Sequence, residues 1–98
     1  MKKEELNNKL AELYEDKCLY ITPLIDNSAR MFDLMLKHNL LLDFAWVNFG
    51  GCDLKYYTAR LKCIYGGTDM VFLKDHESES AAARFAIAMA LVKLAESE

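Results

Sequence analysis

At 98 residues the chain supports one domain with one core, and 53% apolar and 11% aromatic content is too rich for a disordered segment. A net charge of −3, with no run of like charges, argues against general nucleic-acid binding. The longest strongly apolar run, Phe85 to Val92, is far too short to span a bilayer, and the polar, charged N-terminus has no apolar signal region. No membrane association is expected, and the expected location is the cytoplasm.

The three cysteines, Cys18, Cys52 and Cys63, are odd in number and none sits in a C-x-x-C pair. Neither a disulfide framework nor a zinc module has its usual spacing here, so reduced thiols are expected.

The pattern predicts a first helix from about Lys3 to Lys17, with Leu6, Leu10, Leu13 and Tyr14 on one stripe. Cys18 to Thr22 is a short β-prone run closed by Pro23. A second helix is expected after Asp26, which is read as its N-cap, with Phe32, Met35 and Leu36 on the buried side. Lys37 and His38 suit the negative end of that helix, and Asn39 tolerates a left-handed cap position.

Three strands follow, Leu41 to Phe49, Leu54 to Tyr65 and Met70 to Leu73, separated by the pairs Gly50-Gly51 and Gly66-Gly67. A Gly51-Cys52 turn places Trp46 opposite Tyr57, Phe44 opposite Ala59 and Leu42 opposite Leu61, making one face apolar. The other face then pairs Val47 with Tyr56, Ala45 with Thr58 and Asp43 with Arg60. A Gly66-Gly67 turn extends the same parity, with Cys63 by Met70 and Leu61 by Phe72. The last helix is expected from near Ser78 to about Ala95, with Glu79 in its first turn and apolar residues almost all round. Such a helix is contacted on more than one side, either by the other helices and the sheet or by another subunit. A homo-oligomer is expected on that basis, with Ala82, Phe85, Ala86, Met89 and Ala90 as the interface.

The predicted fold is thus one α+β domain over residues 1–98, an α/β/α-type sandwich of a three-stranded antiparallel meander and about three helices. This order of elements, with Thr22-Pro23 before a capped helix and Ser80-Ala81-Ala82-Ala83-Arg84-Phe85-Ala86-Ile87-Ala88-Met89-Ala90-Leu91 in the closing helix, resembles the phage ABA sandwich domain. That family's final helix carries a similar A-I-x-x-A-L pattern, whereas the tryptophan that often ends its first helix is absent here, leaving Tyr14 or Tyr20 in its place. The resemblance implies a bacteriophage origin, hence a host-cell cytoplasm, and an α/β sandwich of unassigned function. It brings no catalytic residues.

Chemistry-bearing residues do not assemble into a catalytic motif. No G-x-S-x-G, P-loop or H-E-x-x-H pattern is present. His38 reads as a helix cap, and Asp69, Asp75 and His76 as solvated loop charges rather than metal ligands; Cys52 reads as an exposed thiol at a hairpin tip. No enzyme activity, metal or cofactor is expected. The mixed sheet face is the candidate site: Tyr56, Thr58, Arg60 and Lys62 alternate along one strand with Asp43 opposite, and Arg30 is a further anion candidate. Aromatic rings stack on bases and cationic side chains suit phosphates. Two functions are carried forward. One is an oligomeric sponge for a small anionic nucleotide of host-defence signalling; the other is a protein–protein module that inhibits a host protein or assists phage assembly.

Overall fold

The computed structural model describes residues 2–14, 24–61 and 70–96, and of Leu61 the backbone alone. In chain order these form helix α1 (Lys3–Tyr14), a 3-10 turn (Leu24–Asp26), helix α2 (Ser28–Lys37), strands β1 (Leu40–Phe49), β2 (Cys52–Leu61) and β3 (Val71–Phe72), a second 3-10 turn (Leu73–Asp75) and helix α3 (Glu79–Glu96). The class is α+β as expected, three helices and a three-stranded antiparallel sheet in the order β1-β2-β3, with the helices packed on the sheet. The expected Cys18–Thr22 strand, the end of the first helix and the Gly66-Gly67 turn lie outside the described residues.

The core explains why α3 is apolar all round. Ala82, Ala86, Ile87, Ala88, Ala90, Leu91 and Val92 are all buried within this one chain. One side of α3 lies on the strands; another receives α1, whose Leu6 and Leu10 are completely buried, and α2 with Met31, Leu34 and Met35. Small alanine side chains let these neighbours approach the helix axis closely, which is how one helix serves two layers. The chain's own elements therefore take up the apolar surround that suggested another subunit.

Local signals set the helix ends. Asn27, not Asp26, caps α2: its side-chain oxygen accepts from the Arg30 amide at 3.1 Å. Asp26 instead ends the 3-10 turn and pairs with Lys3 at 2.6 Å. Asn39 does take a left-handed conformation (φ 56°) just after α2. At α3 the Ser78 hydroxyl accepts from the Ala81 amide at 3.1 Å. The buried stripe of α2 also differs from the expected one. Phe32 and Leu36 face solvent at 54% and 59% exposure, while Met31 and Leu34 join Met35 inside. The apolar arc of this helix is wider than the surface it meets, and the core selects the i, i+3, i+4 set that begins at Met31.

Arg84 ties three elements together. Its Nε donates to the Ile25 carbonyl at 3.2 Å, and Nη1 donates to the hydroxyls of Ser28 (2.7 Å) and Ser80 (2.8 Å). The Asn7 side chain adds a second tether, accepting from the Ile25 amide at 3.1 Å.

Candidate functional site

The hairpin β1–β2 turns at Gly50-Gly51, one residue earlier than the expected Gly51-Cys52. Both central residues of this turn have positive φ, 57° and 86°. Two glycines meet that demand, whereas the expected turn would impose it on Cys52. Every cross-strand partner shifts by two: Leu42 faces Ala59, Phe44 faces Tyr57, Asp43 faces Thr58 and Leu41 faces Arg60. A shift of two keeps each side chain on its expected face, so the two-faced character of the hairpin survives the correction. The tip is fixed by Asn48, which donates to Asp53 at 3.0 Å and accepts from the Gly51 amide at 3.3 Å.

Strand β3 departs further. Phe72 lies opposite Tyr56 instead of Leu61, a shift of five residues. An odd shift exchanges the faces. Val71 turns inward and is 4% exposed, while Phe72 joins Phe49 (6.4 Å between ring centres) and Tyr56 (6.0 Å) on the outer face.

The inner face of the hairpin begins as core and ends in solvent. Leu40, Ala59 and Tyr57 are buried near its base. Farther along the same face, Phe44 and Trp46 are 62% and 63% exposed. Both lie on the apolar face as expected, but the helix layer stops short of them. Their neighbour across the strands is Lys55, opposite Trp46. Its ammonium lies over the rings of Phe44 (4.6 Å), Tyr57 (5.4 Å) and Trp46 (5.8 Å) and is paired with Glu79 at the start of α3. Tyr57 donates to the same carboxylate oxygen at 3.0 Å. The hydrogen bond to Glu79 raises the Lys55 ammonium above its ordinary 10.5. The bonds from Lys55 and then Tyr57 hold the Glu79 carboxyl below its ordinary 4.5.

The outer face does gather Asp43, Tyr56, Thr58 and Arg60, as the alternation of the strands predicted. Arg60, however, is engaged: its Nε donates to Asp43 Oδ2 at 3.2 Å, a diagonal contact rather than the directly opposed pair expected. That carboxylate offsets the charge a phosphate would seek. Lys62 lies outside the described residues. Arg30, on α2, lines a shallow depression with Leu13, Tyr14, Asp33, Leu34 and Lys37, none of them a strand residue.

Of the residues expected at an oligomer interface, Ala82 and Ala86 are completely buried and Ala90 is 6% exposed within the chain's own core. No partner reaches them in this packing. Phe85 and Met89 are half-buried and border a groove of about 550 Å³ with Met70, Phe72 and, at its rim, Asp26, Asp75 and Glu77. Lys3, paired with Asp26, and His76 line it too, so the rim is of mixed charge. His76 packs against Phe85 at 4.8 Å, His38 caps α2 against Tyr14 at 5.3 Å, and Cys52 is an exposed free thiol. Asp69 lies outside the described residues; among those described, no three His, Cys, Asp or Glu side chains converge as metal ligands. No described helix is long and apolar enough to cross a membrane.

No protein-family model, curated protein or solved structure matches this chain.

Proposed function

We propose that this chain is a non-catalytic binding protein that acts through protein–protein contact, with the β1–β2 hairpin as its docking element. One observation carries the reading: Phe44 and Trp46 stand largely in solvent, side by side on a strand face that the helix layer does not reach. Exposed aromatic pairs of this kind anchor interfaces, because rigid rings bury much area at little entropic cost. Lys55 and Glu79 form a polar border to the patch, as in interfaces where charged groups surround an aromatic centre. Most of the apolar surface of α3 is taken up by the chain's own core, so the docking surface is placed on the hairpin instead.

The test is capture of host proteins by the intact chain and by a Phe44→Ser/Trp46→Ser variant that retains its circular dichroism and melting temperature. The expected result is a defined partner recovered by the first and lost by the second. Equal recovery by both removes the hairpin from the function.

A second reading, sequestration of a small anionic nucleotide, is favoured by the gathering of Asp43, Tyr56, Thr58 and Arg60 on one face. The phage resemblance suggests the host-defence setting for it. Calorimetric titration with mono- and dinucleotides tests it: binding lost on Arg60→Ala supports it, and the absence of heat with every nucleotide sets it aside.

A further inference from the structure

Among the described strands β1 is an edge strand, and nothing among the described residues pairs with its outer side. In a two-residue hairpin the residues flanking the turn bond to each other, so the odd-numbered residues of β1 bond inward to β2. The even-numbered ones, Leu40, Leu42, Phe44, Trp46 and Asn48, aim their amides outward. Natural edges are normally kept apart by short length, lysine, proline or a bulge. β1 has none of these: it is ten residues long, and Asp43 is its one charge.

We propose that this edge pairs with the same edge of a second copy, antiparallel, about a two-fold axis normal to the sheet and passing beside Ala45. The inference rests on the hairpin being the docking element and says what completes it.

Symmetry and side-chain chemistry select the register. A two-fold antiparallel pair must oppose residues of equal parity, since only then does each side chain meet a neighbour on its own face. An axis at Asp43 would set two carboxylates against each other. An axis at Phe44 leaves Phe49 with no opposing residue inside the strand. The axis at Ala45 puts the smallest side chain at the centre. It opposes Phe44 to Trp46 of the second copy on the inner face, and Leu41 to Phe49 on the outer. Each Asp43 then faces a valine, keeps its own Arg60, and lies four residues along the strand from its symmetry mate. At about 3.4 Å per residue that exceeds the screening length of roughly 8–10 Å, so like charge does not oppose the pairing.

Exposed aromatic area adds to the pairing. Phe44, Trp46 and Phe49 are each more than half exposed and together make available on the order of 300 Å² per chain. That is over a third of the roughly 800 Å² each partner contributes to a standard interface, before the backbone ladder is counted. Because the axis is normal to the sheet, both helix layers fall on the same side. The inner-face contact between Phe44 of one copy and Trp46 of the other therefore lies between the two helix layers.

The experiment is light scattering of the intact chain across concentration, with two variants. The expected result is a dimer at tens of micromolar that Trp46→Lys converts to a folded monomer, because an edge lysine resists strand pairing. Ala45→Cys is expected to oxidise to a covalent dimer whose mapped bridge joins position 45 to position 45. The two residues form a non-hydrogen-bonded pair at about 4.5 Å between Cα atoms, within disulfide reach. A monomer at every concentration overturns the proposal, as does a dimer untouched by Trp46→Lys that yields no 45–45 bridge. A chain that stays monomeric yet captures a partner through Phe44 and Trp46 overturns self-pairing and leaves the docking reading intact. A bridged dimer that captures its partner equally well without those rings overturns the docking reading instead.

Discussion

The phenol of Tyr57 donates to the carboxylate of Glu79 at 3.0 Å, and the Lys55 ammonium meets the same oxygen. Tyr57 and Lys55 sit two apart on β2, on one face, and Glu79 opens α3. One side chain at the positive end of a helix thus joins the helix layer to the hairpin where the strands leave the core. Beyond this junction the inner face belongs to solvent, and the exposed Phe44 and Trp46 begin there.

The junction gives the protein a defined pH dependence. Glu79 is held below its ordinary 4.5 by Lys55 and then Tyr57, so its contribution to stability is complete above that value and disappears as pH falls through the lowered one. Lys55 is raised above 10.5 by Glu79, so its contribution is complete below that value and disappears as pH rises through the raised one. Glu79→Gln is therefore expected to flatten both the acid and the alkaline limbs of melting temperature against pH, with little change in shape between them. Limbs parallel to those of the unaltered protein would show that the pair does not couple hairpin to helix.

The hairpin turn separates two glycines that look alike in sequence. Gly50 (φ 57°) sits where asparagine is accepted, while Gly51 (φ 86°) lies farther into the region that side chains avoid. A Cβ added at either meets nothing within 4 Å, so the cost of substitution is conformational. Gly50→Asn is expected to be close to neutral, and Gly51→Val to cost about 1 kcal/mol or more. Urea denaturation of both variants checks the order, and equal losses would contradict the turn geometry.

What could be read from the sequence follows the range of the forces involved. Alternation along β1 and β2 gave the correct faces, because a side chain's face is fixed by its neighbours along the strand, and Asp43, Tyr56, Thr58 and Arg60 duly share one. The exact partners depended on which two residues take positive φ, and Gly50 rather than Cys52 settled that. β3 needed the length of its connection as well as its pattern, so Phe72 was placed on the wrong face. The exposure of Phe44 and Trp46 carried no local signal at all. In sequence they look like core, and only the start of α3 at Glu79 decides that no described helix covers them. The same holds in reverse for Ala82, Ala86 and Ala90, whose cover comes from distant elements of the chain.

The rotation of α2 about its axis can be tested by paired truncations. Leu34 is 3% exposed and Leu36 is 59% exposed, although they are two residues apart in one apolar arc. Leu34→Ala is expected to cost about 2–5 kcal/mol, the usual range for a leucine removed from a packed core. Leu36→Ala is expected to stay within about 0.5 kcal/mol, as exposed positions do. Chemical denaturation of the two variants settles the phase of the helix, and a larger loss at Leu36 would reverse it.

Arg84 offers the sharpest contrast between charge and geometry. Its hydrogen bonds among the described residues go to no carboxylate but to one carbonyl and two hydroxyls, drawn from the first 3-10 turn, α2 and α3. Its planar fork reaches three acceptors at once, and a lysine ammonium on a flexible stem cannot reproduce that arrangement. If Arg84 served the fold by its charge, Arg84→Lys would be silent. Because it serves by its fork, Arg84→Lys is expected to lose much of what Arg84→Met loses, and the latter about 1.5–3 kcal/mol, the worth of hydrogen bonds made by a charged donor. Hydrogen exchange adds a readout that a uniform loss of stability would not give. The amides of Ile25 through Arg30 should exchange faster in both variants, since Arg84 holds that turn to α3, while those of β1 and β2 keep their relative protection. A lysine variant as stable and as protected as the unaltered chain would assign Arg84 to surface charge and leave the turn to its Asn7 and Lys3 tethers.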